Sequence, residues 1–165
     1  QLESTDPVDE PFWTAALGAE EAVDLLVERL AAADERIIFV AATPTSRFEL
    51  DIVGERIADE LEIALDRGVS VSTLLHPAVV DTLPESVGQS YRRYLQEEQD
   101  FEVRTSADVT SMFTLLDRTE ICIEVPHPLN PREAFALIDL KDSEFARSAE
   151  DEFQPRWEDS EELLL

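Results

Sequence analysis

Apolar residues recur along this chain with two distinct periods, and the changes of period mark out its elements. Between residues 20 and 33, Val23, Leu26, Val27 and Leu30 fall on one helical face with Glu and Arg opposite, and Asp34-Glu35 closes the predicted helix. The run "R-I-I-F-V-A-A" at 36–42 is apolar without interruption, which suits a strand covered on both sides. Leu50, Val53, Ile57, Leu61 and Ala64/Leu65 return to helical spacing, and Gly68 stands where a C-terminal cap belongs. "V-S-V-S-T-L-L" at 69–75 predicts the next strand, ended by His76-Pro77, so that strand, helix and strand form a parallel pair with a right-handed crossover.

Val87, Tyr91, Tyr94 and Leu95 predict a shorter helix, and 101–105 a brief strand. In "T-S-M-F-T-L-L-D-R-T-E-I-C-I-E-V-P-H-P", residues 110–128, alternation breaks at Asp117-Arg118-Thr119 and resumes, predicting a hairpin. A strand at 133–140 follows. The last helix, from about 142, carries Phe145, Ala149, Phe153 and Trp157 on one stripe, and Pro155 within it predicts a kink or an early stop. The fold class that results is α/β, a mixed sheet with helices on both faces. Residues 1–11, polar with two prolines, read as a linker, 12–159 as the domain and 160–165 as a tail.

Composition changes the picture mainly through charge. Of 165 residues, 38 are Asp or Glu and 13 Lys or Arg, a net charge of −25, and Lys141 is the only lysine. The acids are spread along the chain, whereas an interaction tail would gather them in one block. Two readings compete: an acidic partner for a basic surface, or a cytosol of very high salt. Lysine depletion beside the acidic excess favours the second, because at about 1 M salt the Debye length is near 3 Å and self-repulsion is screened. Contact with DNA or RNA by this chain itself is disfavoured, since phosphates call for clustered Lys and Arg. Cys122, the sole cysteine, lies in an apolar strand and reads as a buried small hydrophobe, which leaves no internal disulfide and no cysteine-type zinc site. No apolar run approaches 18 residues and no signal peptide is visible, so the expectation is a soluble, cytoplasmic protein without membrane contact. Gln1 at the start suggests a piece of a longer chain.

The hairpin resembles the one on which phospholipase D enzymes carry H-x-K-x-x-x-x-D followed by G-S-x-N. Asp117 falls in register. The histidine position is then Thr110, the lysine position Met112, and the G-S-x-N positions include Glu124, Val125 and His127. Over more of the chain, "F-W-T-A-A-L-G-A-E-E-A-V-D-L-L" (12–26), "A-A-A-D-E-R-I-I-F-V-A" (31–41), "L-L-D-R-T-E-I-C-I-E-V-P" (115–126), "L-I-D-L-K-D-S-E-F-A" and "F-Q-P-R-W" resemble the effector part of TrmB-type archaeal regulators. Many of those are haloarchaeal, and their regulatory half begins with a phospholipase D-like domain. The resemblance implies one half of a phospholipase D-like fold, with a winged helix-turn-helix upstream that this chain does not contain. DNA would be reached only through that reader.

Phospholipase D chemistry needs a histidine nucleophile and a lysine on the phosphate. Thr110 and Met112 supply neither, and no His-x-Lys occurs in the chain, so catalysis of that type is not expected. Asp-Arg-Thr is good turn chemistry, with the Asp117 side chain expected to bond backbone two residues on. The ligand-binding candidates are Thr110, Ser111 and Met112 in the altered motif, together with His76, His127 and Arg47 at strand exits, where open α/β sheets bind ligands. No metal spacing and no glycine-rich phosphate loop is present, and no cofactor is expected. Arg92-Arg93 reads as a solvated helix face. The leading expectation is a non-catalytic effector-sensing module that completes itself as a homodimer. The rivals are a divergent phosphodiesterase using Asp117, His127 and Glu124, and an adaptor without a small ligand.

Overall fold

In the computed structural model, which describes residues 12–42, 50–81, 85, 88–89, 92–93, 100–130 and 134–163, the apolar run at 36–42 forms an interior strand of an eight-stranded mixed sheet. The elements in chain order are β1 (Phe12–Leu17), α1 (Ala19–Ala32), β2 (Arg36–Ala41), α2 (Leu50–Asp66), β3 (Ser70–Leu75) and α3 (Pro77–Val80). They continue with β4 (Phe101–Thr105), β5 (Phe113–Leu116), β6 (Glu120–Pro126), β7 (Ala134–Lys141), α4 (Ser143–Glu158) and β8 (Glu161–Glu162). The strand order is β1-β7-β6-β5-β2-β3-β4-β8. β2, β3 and β4 run parallel to one another, and the remaining pairs are antiparallel.

Why β2 has no polar side is visible in its neighbours. Ile37, Phe39 and Ala41 enter one core with α1 and α2, while Ile38 and Val40 enter a second core with α4. Side chains alternate across a strand, so helices on both faces demand apolar residues at every position. The first core takes Ala22, Leu26 and Leu30 from α1 and Ile57, Leu61, Ala64 and Leu65 from α2, matching the helical spacing in the sequence. Gly68 ends the second helix with φ +90°, and Val69 N–H donates to Ala64 O at 3.0 Å, the closure that a left-handed residue permits.

Several expectations are revised. α4 runs through Pro155 to Glu158, so the early stop does not occur: the proline sits in the last turn, and Asp159 N–H donates to Pro155 O at 3.0 Å. Phe12–Leu17 is an edge strand paired with β7, and Glu161–Glu162 pairs with β4 at the other edge. Neither strand follows from hydrophobic alternation. The helix marked by Val87, Tyr91, Tyr94 and Leu95 lies outside the described residues. No helix among the described residues is long and apolar enough to cross a membrane.

Candidate functional site

The hairpin that carries the altered motif is closed by the three-residue loop Asp117-Arg118-Thr119, in which Asp117 and Arg118 have φ of 55° and 58°. Both values lie in the left-handed region that a tight hairpin turn requires and that non-glycine residues adopt at a cost. What holds Asp117 there differs from the expected local turn bond. Its carboxylate accepts from the backbone N–H groups of Asp34 (2.9 Å), Glu35 (2.8 Å) and Arg36 (2.8 Å), and its own N–H donates to Arg36 O at 2.9 Å. Asp117 is therefore a clamp on the α1–β2 connection, at the end of the hairpin away from Thr110. The same geometry sets Asp117 apart from His127, two of the residues of the divergent-enzyme arrangement. Asp117 and His127 flank opposite ends of β6, about 20 Å or more apart at about 3.3 Å per residue.

The other candidates gather along the opposite sheet edge, where β2, β3 and β6 end and β5 begins, but they do not converge. His76 is spent on capping α3, its Nδ1 accepting from Ala78 N–H at 3.0 Å. His127 Nδ1 accepts from Leu129 N–H at 3.1 Å, and its ring packs edge-on against Phe135. In the sheet order β6 and β3 are separated by β5 and β2, so these histidines stand roughly 14 Å apart at about 4.8 Å per strand. Arg47 lies outside the described residues. The motif itself splits: Met112 packs against the first core, whereas Thr110 and Ser111 line a cavity on the α4 side.

That cavity, of about 310 Å³, is the part of the sheet's second face that α4 leaves open. Its floor is Val40, Leu74, Phe113, Ile121 and Ile123, which share one face of four adjacent strands. Phe145, Ala149 and Phe153 of α4 form one wall, and the β4–β5 connection, with Ser106, Val109, Thr110 and Ser111, forms the other. Asp108, Glu152 and Arg156 complete the lining. The stripe Phe145–Ala149–Phe153 is legible in the sequence as core. The three charged residues carry no sequence signal, because they meet only through the packing of α4 against a loop.

A second cluster, also invisible in the sequence, lies buried beneath α1. Arg29 forks onto Glu120, with Nε to Oε2 at 2.6 Å and Nη2 to Oε1 at 3.0 Å, and its Nε stands 3.6 Å from Asp139 Oδ2. Lys141 Nζ reaches Asp139 Oδ2 at 3.2 Å, and Cys122 Sγ donates to Asp139 Oδ1 at 3.7 Å. Burial raises the Glu120 carboxyl to about 7; Arg29 pulls against this, and neighbouring Asp139 adds to it. Burial, followed by the charges of Asp139 and Glu120, pushes the Cys122 thiol above its usual range, so it is no nucleophile. Glu120, Cys122 and Asp139 converge closely enough to hold a cation, but Arg29 and Lys141 already supply the positive charge. Pairing of this kind is what makes buried carboxylates tolerable.

The open mixed sheet with helices on both faces has a phospholipase D-like fold. Solved structures of several proteins share this fold. TrmBL2, an archaeal chromatin protein whose structure shows a novel mode of DNA binding, superposes with a TM-score of 0.70 at 20% identity, over 98% of this chain and 57% of that one. Nuc, a phospholipase D family member from Salmonella typhimurium, gives 0.70 at 14% identity, over 94% of this chain and 100% of its own. NucT from Helicobacter pylori gives 0.68 at 16% identity, over 93% and 100%. The chain thus spans a little over half the length of TrmBL2 and the whole length of the two others. More particularly, residues 7–163 match the family described as Domain of unknown function (DUF7436), and the chain belongs to it. No curated protein matches the sequence.

Proposed function

We propose that this chain is a non-catalytic, effector-sensing and dimerisation domain of an archaeal transcriptional regulator, working in a cytosol of high salt. The observation that carries the reading is the divergence of the motif. The residue in the lysine position, Met112, is packed against the first core, while the residue in the histidine position, Thr110, lines an apolar groove on the other face. A phosphate at the old site would meet neither the histidine nucleophile nor the lysine of the motif, whereas the groove has the concave, largely apolar character of a small-molecule site. The likeness to TrmBL2 supports the regulatory setting through the fold. DNA would be contacted by a separate reader, and a two-fold pair of these domains would set the spacing of two such readers.

The test is a phosphodiesterase assay with bis(nitrophenyl) phosphate in molar KCl, run beside light scattering at tens of micromolar protein. The expected result is no turnover above the buffer rate and a dimer mass. Turnover abolished by Asp117→Asn would overturn the non-catalytic reading, and a monomer would remove the dimerisation role.

A further inference from the structure

We propose that the groove between α4 and the β4–β5 connection is a site for a zwitterion with an apolar body, of which a free α-amino acid with a branched aliphatic side chain is the model. The proposal rests on the sensing reading and names its ligand class. Size comes first: about 310 Å³ is at the small end of ligand sites, too little for a docked helix and enough for one small molecule. The floor of Val40, Leu74, Phe113, Ile121 and Ile123 has no polar side chain, so it takes hydrocarbon. Phe145 on the wall is 46% exposed, an apolar surface that a ligand would cover.

Charge narrows the class. Arg156 is the one cation in the lining, facing a groove that also carries Asp108 and Glu152. Among the described residues none of these three side chains forms a hydrogen bond or ion pair. Elsewhere the described arginines are mostly engaged with acids or carbonyls, as Arg29, Arg36, Arg56, Arg67, Arg104 and Arg118 show. A simple carboxylic acid would satisfy Arg156 and be repelled by two carboxylates, and a simple amine would do the reverse. A zwitterion satisfies both signs: its carboxylate forks onto the guanidinium, and its ammonium lies toward Asp108 or Glu152. The hydroxyls of Ser106, Thr110 and Ser111 can complete the head-group bonds.

Titration calorimetry on the full chain in 3 M KCl tests this with four probes: L-leucine, L-leucinamide, 4-methylpentanoate and isoamylamine. The expected result is one L-leucine per chain, with each of the other three binding at least tenfold more weakly. Arg156→Gln should erase the preference for L-leucine over L-leucinamide, and Ala149→Leu, which fills the groove, should abolish binding. Equal affinity for L-leucine and any of the three singly charged probes would overturn the zwitterion, as would silence of all four. Undiminished binding to Ala149→Leu would overturn the location. Failure of the underlying sensing reading has a different signature: turnover of bis(nitrophenyl) phosphate, which none of these titrations produces.

Discussion

On the face beneath α1 and α2, Leu30, Ile37, Leu61, Ala64, Val69 and Val71 are sealed from solvent, and the carboxylates of Glu120 and Asp139 are buried with them under the half-buried Arg29. On the opposite face, among the described residues, α4 covers part of the sheet beside the open groove. Both faces are built from the same strands, so the difference comes from the connections. Among the described residues, α1 and α2 cross one face and α4 the other. A sealed face stores stability and tolerates little change. An open face has apolar surface available, which is where a ligand can add contacts that folding left unmade.

Salt should strike both faces alike and most strongly. With a net charge of −25, lowering KCl from 3 M to 0.1 M should unfold the chain or strip most of its stability, measured by circular dichroism through the thermal transition. Unchanged melting across that range would remove the high-salt reading while leaving the contrast between faces intact. Next in size is Arg29→Met, which leaves Glu120 and Asp139 buried without their main cation. Denaturation in 3 M KCl should show a loss of about 3–5 kcal/mol, against less than about 0.5 kcal/mol for Arg156→Gln on the open face. Comparable losses would break the comparison.

The sealed cluster should also be felt through pH. Glu120 is raised from 4.5 to about 7 in the folded chain, so the folded state holds a proton that the unfolded state has released. Its contribution is complete below about 4.5 and is lost as pH rises through about 7, a decline on the order of 2–3 kcal/mol. Glu120→Gln should flatten that segment of the wild-type stability profile, and an identical slope in both proteins would refute the assignment. The smallest effects are on α4, where two alanines three residues apart report on different surroundings. Ala146 is fully buried and Ala149 borders the groove. Ala146→Leu should cost about 1–3 kcal/mol by overpacking, whereas Ala149→Leu should stay within about 1 kcal/mol.

How far the sequence announced this molecule depends on the range of the interaction concerned. β2 and β3, α1, α2 and the hairpin were legible because hydrophobic period is a local property. β1 was not, because "F-W-T-A-A-L" is an exposed edge strand, with Trp13 66% and Leu17 63% accessible, and obeys no buried alternation. Arg29 and Glu120 meet across 91 residues, and the groove draws on four strands, a loop and a helix. No spacing rule reaches that far. Thr110 and Ser111, which line the groove, stand out in the sequence only through the altered motif. Asp117 stands out in the same way, but its partners, 81 to 83 residues away, do not.

That clamp bears on the order of assembly. A hairpin such as β5–β6 is local and in isolation closes in microseconds. This one turns on two left-handed, non-glycine residues, an uphill arrangement until the amides of Asp34, Glu35 and Arg36 arrive to donate to the carboxylate. The hairpin is thus a poor candidate to lead folding. Its register locks only after the α1–β2 connection is in place, across a closure of some eighty residues that raises the contact order and slows the search. The Asp117 side chain thereby becomes a checkpoint, tying the formation of the central hairpin to the prior presence of the first two elements that follow β1.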